Sequence, residues 1–278
     1  MTTKWATLHG YEVLGTLVLI GSTDRPVGEH VHRLLAPFAG PSDSSPGDGP
    51  RFSLVGGKGK HDLYADGDRL VGTGSRSRLI RLLLMDINRM ALGNYAHFAC
   101  HAGVIATPSA AIAFPSRSGG GKSTLTAACL LAGFEYVSDE ALCLHLRSAE
   151  VVPYPKPLGL SAWSRRQLGL EGANFSYASD GEEALIAPED MGARIVSGAP
   201  LPLGDVILIQ REKGALELKP AARTEIVTAL IRRSFNHYKH PRDSFRLVTE
   251  QAQRGRAWRL TFEDPTAAAR LLHDRFMS

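Results

Sequence analysis

The sequence has little of what marks a membrane-spanning or secreted chain. No apolar run approaches the roughly 20 residues that a bilayer-spanning helix needs. The start, Met-Thr-Thr-Lys-Trp, lacks the charged-then-apolar layout of a secretory signal, and the apolar residues 14–20 are too few for one and read as a strand. Only three cysteines occur, Cys100, Cys129 and Cys143, an odd and scattered set without metal-ligand spacing. They read as small core residues in a reducing compartment, so the expected location is cytoplasmic and no membrane partner is expected. Neither sign of charge dominates, with a formal net charge of +4 over 278 residues. No internal repeat is visible.

What is present is an ordinary globular composition, 44% hydrophobic and 22% charged. The length predicts one large domain or a main domain with a small companion. Residues 8–20 read as one or two strands, and residues 27–38 have helical spacing through Val31, Leu34, Leu35 and Phe38. Residues 40–50 hold six Gly or Pro in eleven positions and read as a loop. Residues 61–73 read as a hairpin turning at Asp66-Gly67, and residues 75–92 as a helix stopped by Gly93-Asn94. The boundary of a small α+β N-terminal region therefore falls near Gly93, giving regions 1–93 and 94–278. Farther on, residues 205–210 and 216–219 read as two strands of a hairpin marked by Gly214. Helices are predicted over residues 224–235, 242–254 and 265–276, around a strand at 258–262.

The chain is organised around residues 111–126. A short apolar strand (Ile112, Ala113, Phe114) leads to Gly119-Gly120-Gly121, and Lys122-Ser123-Thr124 opens an amphipathic helix with Leu125, Ala128, Cys129 and Ala132 on one face. Strand, glycine-rich turn and helix start in that order are the context of a phosphate loop. Glycines let backbone N–H groups curl around an anion, and the helix N-terminus adds partial positive charge. The nucleotide-binding residues are thus read as Ser116, Arg117, Ser118, Gly119, Gly120, Gly121, Lys122, Ser123 and Thr124. Lys122 reaches the β- and γ-phosphates and the Ser123 hydroxyl takes Mg²⁺. The full pattern G-x-x-x-x-G-K-[ST] asks for glycine at 116, where this chain has Ser116.

After the loop helix, residues 134–137 read as a strand with Ser138-Asp139-Glu140 at its carboxyl end, where ligands bind in open α/β sheets. Two acids at that place suit a metal or proton transfer, and equally a solvated turn. Residues 153–157, Pro-Tyr-Pro-Lys-Pro, hold an extended segment presenting Lys156, either as a rigid connector or as a cation offered to phosphate. Residues 223–259 carry nine Lys/Arg against three acids, a net of +6, including Arg232 and Arg233. Such a stretch is either a solvated helical face or a surface for an acidic partner.

Several motifs together resemble the HPr kinase/phosphorylase-like group of P-loop kinases, in the style of its smaller relatives such as lasso-peptide precursor serine kinases. The resemblance covers about residues 95–262. It is carried by His101-Ala102-Gly103-Val104, by residues 116–123 set against G-x-S-G-x-G-K-S, by Tyr136-Val137-Ser138-Asp139-Glu140, and by Pro153-Tyr154-Pro155-Lys156-Pro157-Leu158. It implies an α/β P-loop kinase core with a mixed sheet, ATP and Mg²⁺ as cofactors, Asp139 as the base in phosphorylation, and His101 as its support. Glu140 stands where the family has a second aspartate and would join Ser123 at the metal. Ser116 departs from the first loop glycine, and the glycine-rich signature of the bifunctional members is missing, so a kinase without phosphorylase activity is implied.

The acceptor implied is a serine hydroxyl on a peptide or protein, with Lys156, Arg232 and Arg233 as its contacts. A nucleotide hydrolase or switch and a kinase of a small-molecule hydroxyl stay open beside it. Nucleic acid is not the expected partner, and a homo-oligomer stays open.

Overall fold

The computed structural model describes residues 4–40, 50–57, 59–117, 119–171, 178–179, 183–196 and 201–277. Ser118, nearly all of the expected loop at 40–50 and part of 174–198 lie outside them. The chain is a mixed α/β protein that divides into two compact units, Met1–Asn94 with Asn174–Ala187, and Tyr95–Ala173 with Pro188–Ser278. The segment Asn174–Ala187 joins the first unit, whereas the sequence reading kept it in the second.

In the first unit, strands β1 (Thr7–Val13), β2 (Thr16–Ser22), β3 (Phe52–Gly57), β4 (Lys60–Ala65) and β5 (Asp68–Thr73) form one sheet in that order. All neighbours are antiparallel except β2 and β3. Helix α1 (Arg25–Leu35) starts where the Asp24 side chain accepts from Val27 N, and it buries Val27, Val31, Leu34 and Leu35. Helix α2 (Arg76–Asn94) buries Leu79, Ile80, Leu83 and Ile87, which lie along one helical face.

The second unit opens with β6 (Phe98–Ala106) and β7 (Ala111–Pro115), an antiparallel pair. Helix α3 (Lys122–Leu131) follows, then β8 (Glu135–Ser138), β9 (Ala141–Leu144), β10 (Glu150–Val152), β11 (Leu158–Ser161) and α4 (Ala162–Gln167). Two short strands of the first unit intervene, β12 (Ala178–Ser179) and β13 (Glu183–Ile186), paired with each other. The second unit resumes with β14 (Leu201–Arg211), β15 (Leu216–Pro220), α5 (Arg223–Arg232), α6 (Pro241–Arg254), β16 (Arg256–Phe262) and α7 (Pro265–Phe276).

Its sheet runs β10-β9-β6-β7-β14-β16-β15, with β8 also on β6 and β10 also on β14. The strands β7, β14 and β16 are mutually parallel; β6, β9 and β15 run against their neighbours. Along β6, Phe98, Cys100, Ala102 and Val104 join one core with Ile226 and Leu230 of α5 and Leu247, Val248 and Ala252 of α6. Side chains alternate along a strand, so Gly103 faces the other side. There α3 lies so close that a Cβ on Gly103 would collide with Thr126 Oγ1 and come within 3.0 Å of Lys122 Cγ.

Strands form at both places flanking Gly214, yet they make no hairpin, because β16 lies between them. Both hydrogen-bonding edges of β14 are taken by parallel partners, β7 and β16. The chain after Gly214 pairs instead on the outer edge of β16, with Leu218 opposite Leu260.

Candidate functional site

The carboxyl ends of β7, β8 and β14 carry the chemistry-bearing residues. The chain leaves β7 at Pro115 and re-enters regular structure at Lys122, with Gly121 as the cap of α3. Gly119 and Gly121 have φ of 76° and 87°, left-handed values that disfavour any residue with a Cβ. Gly120 is fixed by space: a Cβ there would run into Ser116 Oγ. Glycine at 120 thus leaves room for the Ser116 hydroxyl in the position it takes here. Its hydroxyl donates to the Arg117 carbonyl at 3.2 Å, and Gly120 N donates to the same oxygen at 3.1 Å. The first turn of α3 is tied down by Thr124, whose hydroxyl meets Ser164 Oγ of α4 at 2.8 Å.

Lys122 is buried and points at the end of β8. Its Nζ donates to the Asp139 carbonyl at 3.0 Å and lies 3.9 Å from Asp139 Oδ1. Asp139 is 4% exposed, and its Oδ1 is buried without a hydrogen-bond partner. Burial raises its pKa; Lys122, Lys156 and the neighbouring Ser123 hydroxyl oppose that rise, and the Glu140 charge adds to it. A buried carboxylate oxygen with an open acceptor, beside the loop's own Ser-Lys pair, is free to take a proton, and the acids here are few enough to suit Mg²⁺, which needs only one or two protein carboxylates beside substrate phosphates and water. Among the described residues no group of three or more His, Cys, Asp or Glu is placed to hold a metal ion.

Glu140 is gripped from two sides. Lys156 Nζ lies 2.9 Å from its Oε2, and His101 Nδ1 lies 3.4 Å from its Oε1 and 3.0 Å from its carbonyl oxygen. Burial pushes its pKa up, but His101 and Lys156 outweigh burial and hold the carboxyl well below the usual range. The support that His101 was expected to give Asp139 thus goes to Glu140. Lys156 is placed by its own segment. Tyr154 N donates to the Val137 carbonyl at 3.0 Å, and the Tyr136 hydroxyl donates to the Lys156 carbonyl at 2.6 Å. The proline-rich stretch therefore runs beside the end of β8 and turns its lysine onto the acid.

The +6 stretch resolves into paired and unpaired parts. Arg246, Arg254, Arg256 and Arg259 each meet a carboxylate, at Asp243, Glu250, Asp205 and Glu225. Arg232 and Arg233 meet none among the described residues, and they line a cleft of about 620 Å³ with Arg117, Pro115 and Thr228. Burial lowers the Arg233 pKa, and repulsion from Arg117 and Arg232 lowers it further. Its Nε is buried without a partner. The structure thus brings the loop residue Arg117 together with the two arginines at the end of α5. The contact that places Arg233 is backbone: His101 N donates to its carbonyl at 2.8 Å.

Two residues beside the loop carry no local sequence signal, Arg211 and Trp163. Arg211 ends β14, and its stem lies against Gly121; Trp163 sits on α4 beneath the Arg211 guanidinium. Only the general rule that ligands gather beyond carboxyl ends of parallel strands would have pointed to Arg211. No protein-family model matches this chain, and no curated protein matches it.

Proposed function

We propose that this protein is an ATP-dependent kinase with a P-loop core of the HPr kinase type, transferring the γ-phosphate to a serine hydroxyl of an acidic peptide or protein. The observation that carries this reading is the convergence of Lys122, Ser123 and the buried Asp139 behind a loop whose glycines are required by conformation and space. Backbone amides of that loop and the Lys122 ammonium would hold the phosphates, and Ser123 with a neighbouring acid would hold Mg²⁺. When bound, that ion neutralises charge on the phosphates.

The acceptor hydroxyl must lose its proton as its oxygen attacks phosphorus. Asp139 suits that task, because burial raises its affinity for a proton. Glu140, tied to His101 and Lys156 and held anionic, is a poor proton acceptor and suits a charge-holding role. The cleft also holds Glu225, but Arg259 takes that carboxylate; Arg117, Arg232 and Arg233 meet none among the described residues, which supports an anionic acceptor that supplies one. The buried free thiols support a reducing, cytoplasmic setting. Among the described residues no helix is long and apolar enough to cross a membrane.

The test is transfer from γ-labelled ATP to panels of acidic peptides, neutral peptides and small alcohols. Acidic serine peptides should be labelled, Lys122→Ala should abolish labelling, and Asp139→Asn should lower kcat by about 10²–10⁴-fold. Labelling of small alcohols in preference to peptides would remove the peptide assignment. ATP turnover that no acceptor stimulates would replace the kinase with a hydrolase.

A further inference from the structure

The phosphate loop accounts for the triphosphate of a nucleotide and leaves the nucleoside unassigned. Arg211 stands at the carboxyl end of β14, the parallel neighbour of the loop's own strand β7. A Cβ on Gly121 would come within 3.0 Å of Arg211 Cδ, so the arginine stem rests on the residue just before Lys122. Beyond that contact its guanidinium lies over the Trp163 ring, 4.3 Å from the centroid. Among the described residues no carboxylate pairs with Arg211.

Trp163 is held beside the loop by a separate chain of contacts. Ser161 caps α4 by accepting from Ser164 N at 3.0 Å. The Ser164 hydroxyl meets Ser161 Oγ at 2.9 Å and, on its other side, Thr124 Oγ1 of α3 at 2.8 Å. Trp163 nevertheless remains 39% exposed, a large apolar ring left facing solvent next to a phosphate site. A planar cation and an indole, both anchored to the loop and both accessible, make a surface onto which a flat aromatic ring stacks.

We propose that Trp163 and Arg211 form the nucleoside subsite, taking the base of a nucleoside triphosphate by stacking while the loop takes its phosphates. This rests on the nucleotide reading of the loop, and the experiment separates the two. Calorimetric titration of the full chain with Mg²⁺-ATP is set beside titration with Mg²⁺-tripolyphosphate, which has the phosphates and no base. Trp163→Ala should weaken ATP about 5- to 150-fold, the range expected for losing one stacked base. It should leave tripolyphosphate unchanged, which also shows that the variant is folded. Trp163→Phe should keep most of the ATP affinity, and Arg211→Gln should weaken ATP with tripolyphosphate unaffected. Equal affinity of wild type and Trp163→Ala for ATP would overturn the subsite alone, as would equal weakening of both ligands in folded Arg211→Gln. Wild-type protein that binds neither ligand would overturn the loop reading and the subsite together.

Discussion

Substituting Gly103 tests how the fold places the loop lysine. Glycine to alanine in a position that accepts a Cβ stabilises by about 0.4–1 kcal/mol through the unfolded chain. At Gly103 the added methyl meets Thr126 Oγ1 and, at 3.0 Å, Lys122 Cγ, both on buried residues of α3. Overpacking of a dense core costs about 1–3 kcal/mol. The clash wins, and Gly103→Ala should lose about 0.5–2 kcal/mol net, a melting point lower by roughly 1–8 °C for a unit of this size. Thr126 Oγ1 is itself buried without a hydrogen-bond partner, so Thr126→Ala removes an uncompensated hydroxyl and should be close to neutral alone. In the double variant the obstructing oxygen is gone, and most of the loss should return. Thermal melting of the four proteins gives the coupling, and calorimetry with Mg²⁺-ATP should show weaker binding in Gly103→Ala and recovery in the double variant. If Gly103→Ala melts with the wild type, or the two changes add within about 0.5 kcal/mol, the close approach of α3 to β6 is not what places Lys122.

Other outcomes follow from single sites. The Glu140 carboxyl titrates well below its ordinary value of 4.5, so its stabilisation is complete above that value and is lost as pH falls toward the folded pKa. Melting between about pH 7 and about pH 3 should accordingly fall more steeply for wild type than for Glu140→Gln, and parallel curves would contradict the Lys156 and His101 grip. Burial pushes the Cys100 thiol up to about 12 and the Cys129 and Cys143 thiols higher still. A thiol-exchange reagent at about pH 8 should therefore find no cysteine in the native protein and all three after denaturation. Asp205 is buried and accepts from Arg256 at 2.9 and 2.8 Å and from Trp258 Nε1 at 2.7 Å. Asp205→Ala should cost about 1–3 kcal/mol in a denaturant melt, with Asp205→Asn losing less because it still accepts from the indole.

The sequence by itself determined what contiguous residues can enforce. Residues 111–126 bring strand, glycines, lysine and helix start into one stretch, so backbone conformation and helix polarity are written locally. The Ser161 cap of α4 and the Asp66-Gly67 turn between β4 and β5 are local for the same reason, since donors and acceptors two or three residues apart suffice. The tertiary structure decided everything that depends on competition between distant partners. Gly214 turns the chain, but β14 had no free edge to offer, so β15 went to β16. Lys156 was legible only as a cation presented by its prolines, and His101 only through the resemblance, as support for Asp139; which group they hold depends on the direction in which β8 ends, and they hold Glu140. The nine basic residues between 223 and 259 look alike in sequence. Folding gives Arg246, Arg254, Arg256 and Arg259 carboxylates and leaves Arg232 and Arg233 beside Arg117, because charge pairing is settled by which strands and helices become neighbours and not by spacing along the chain.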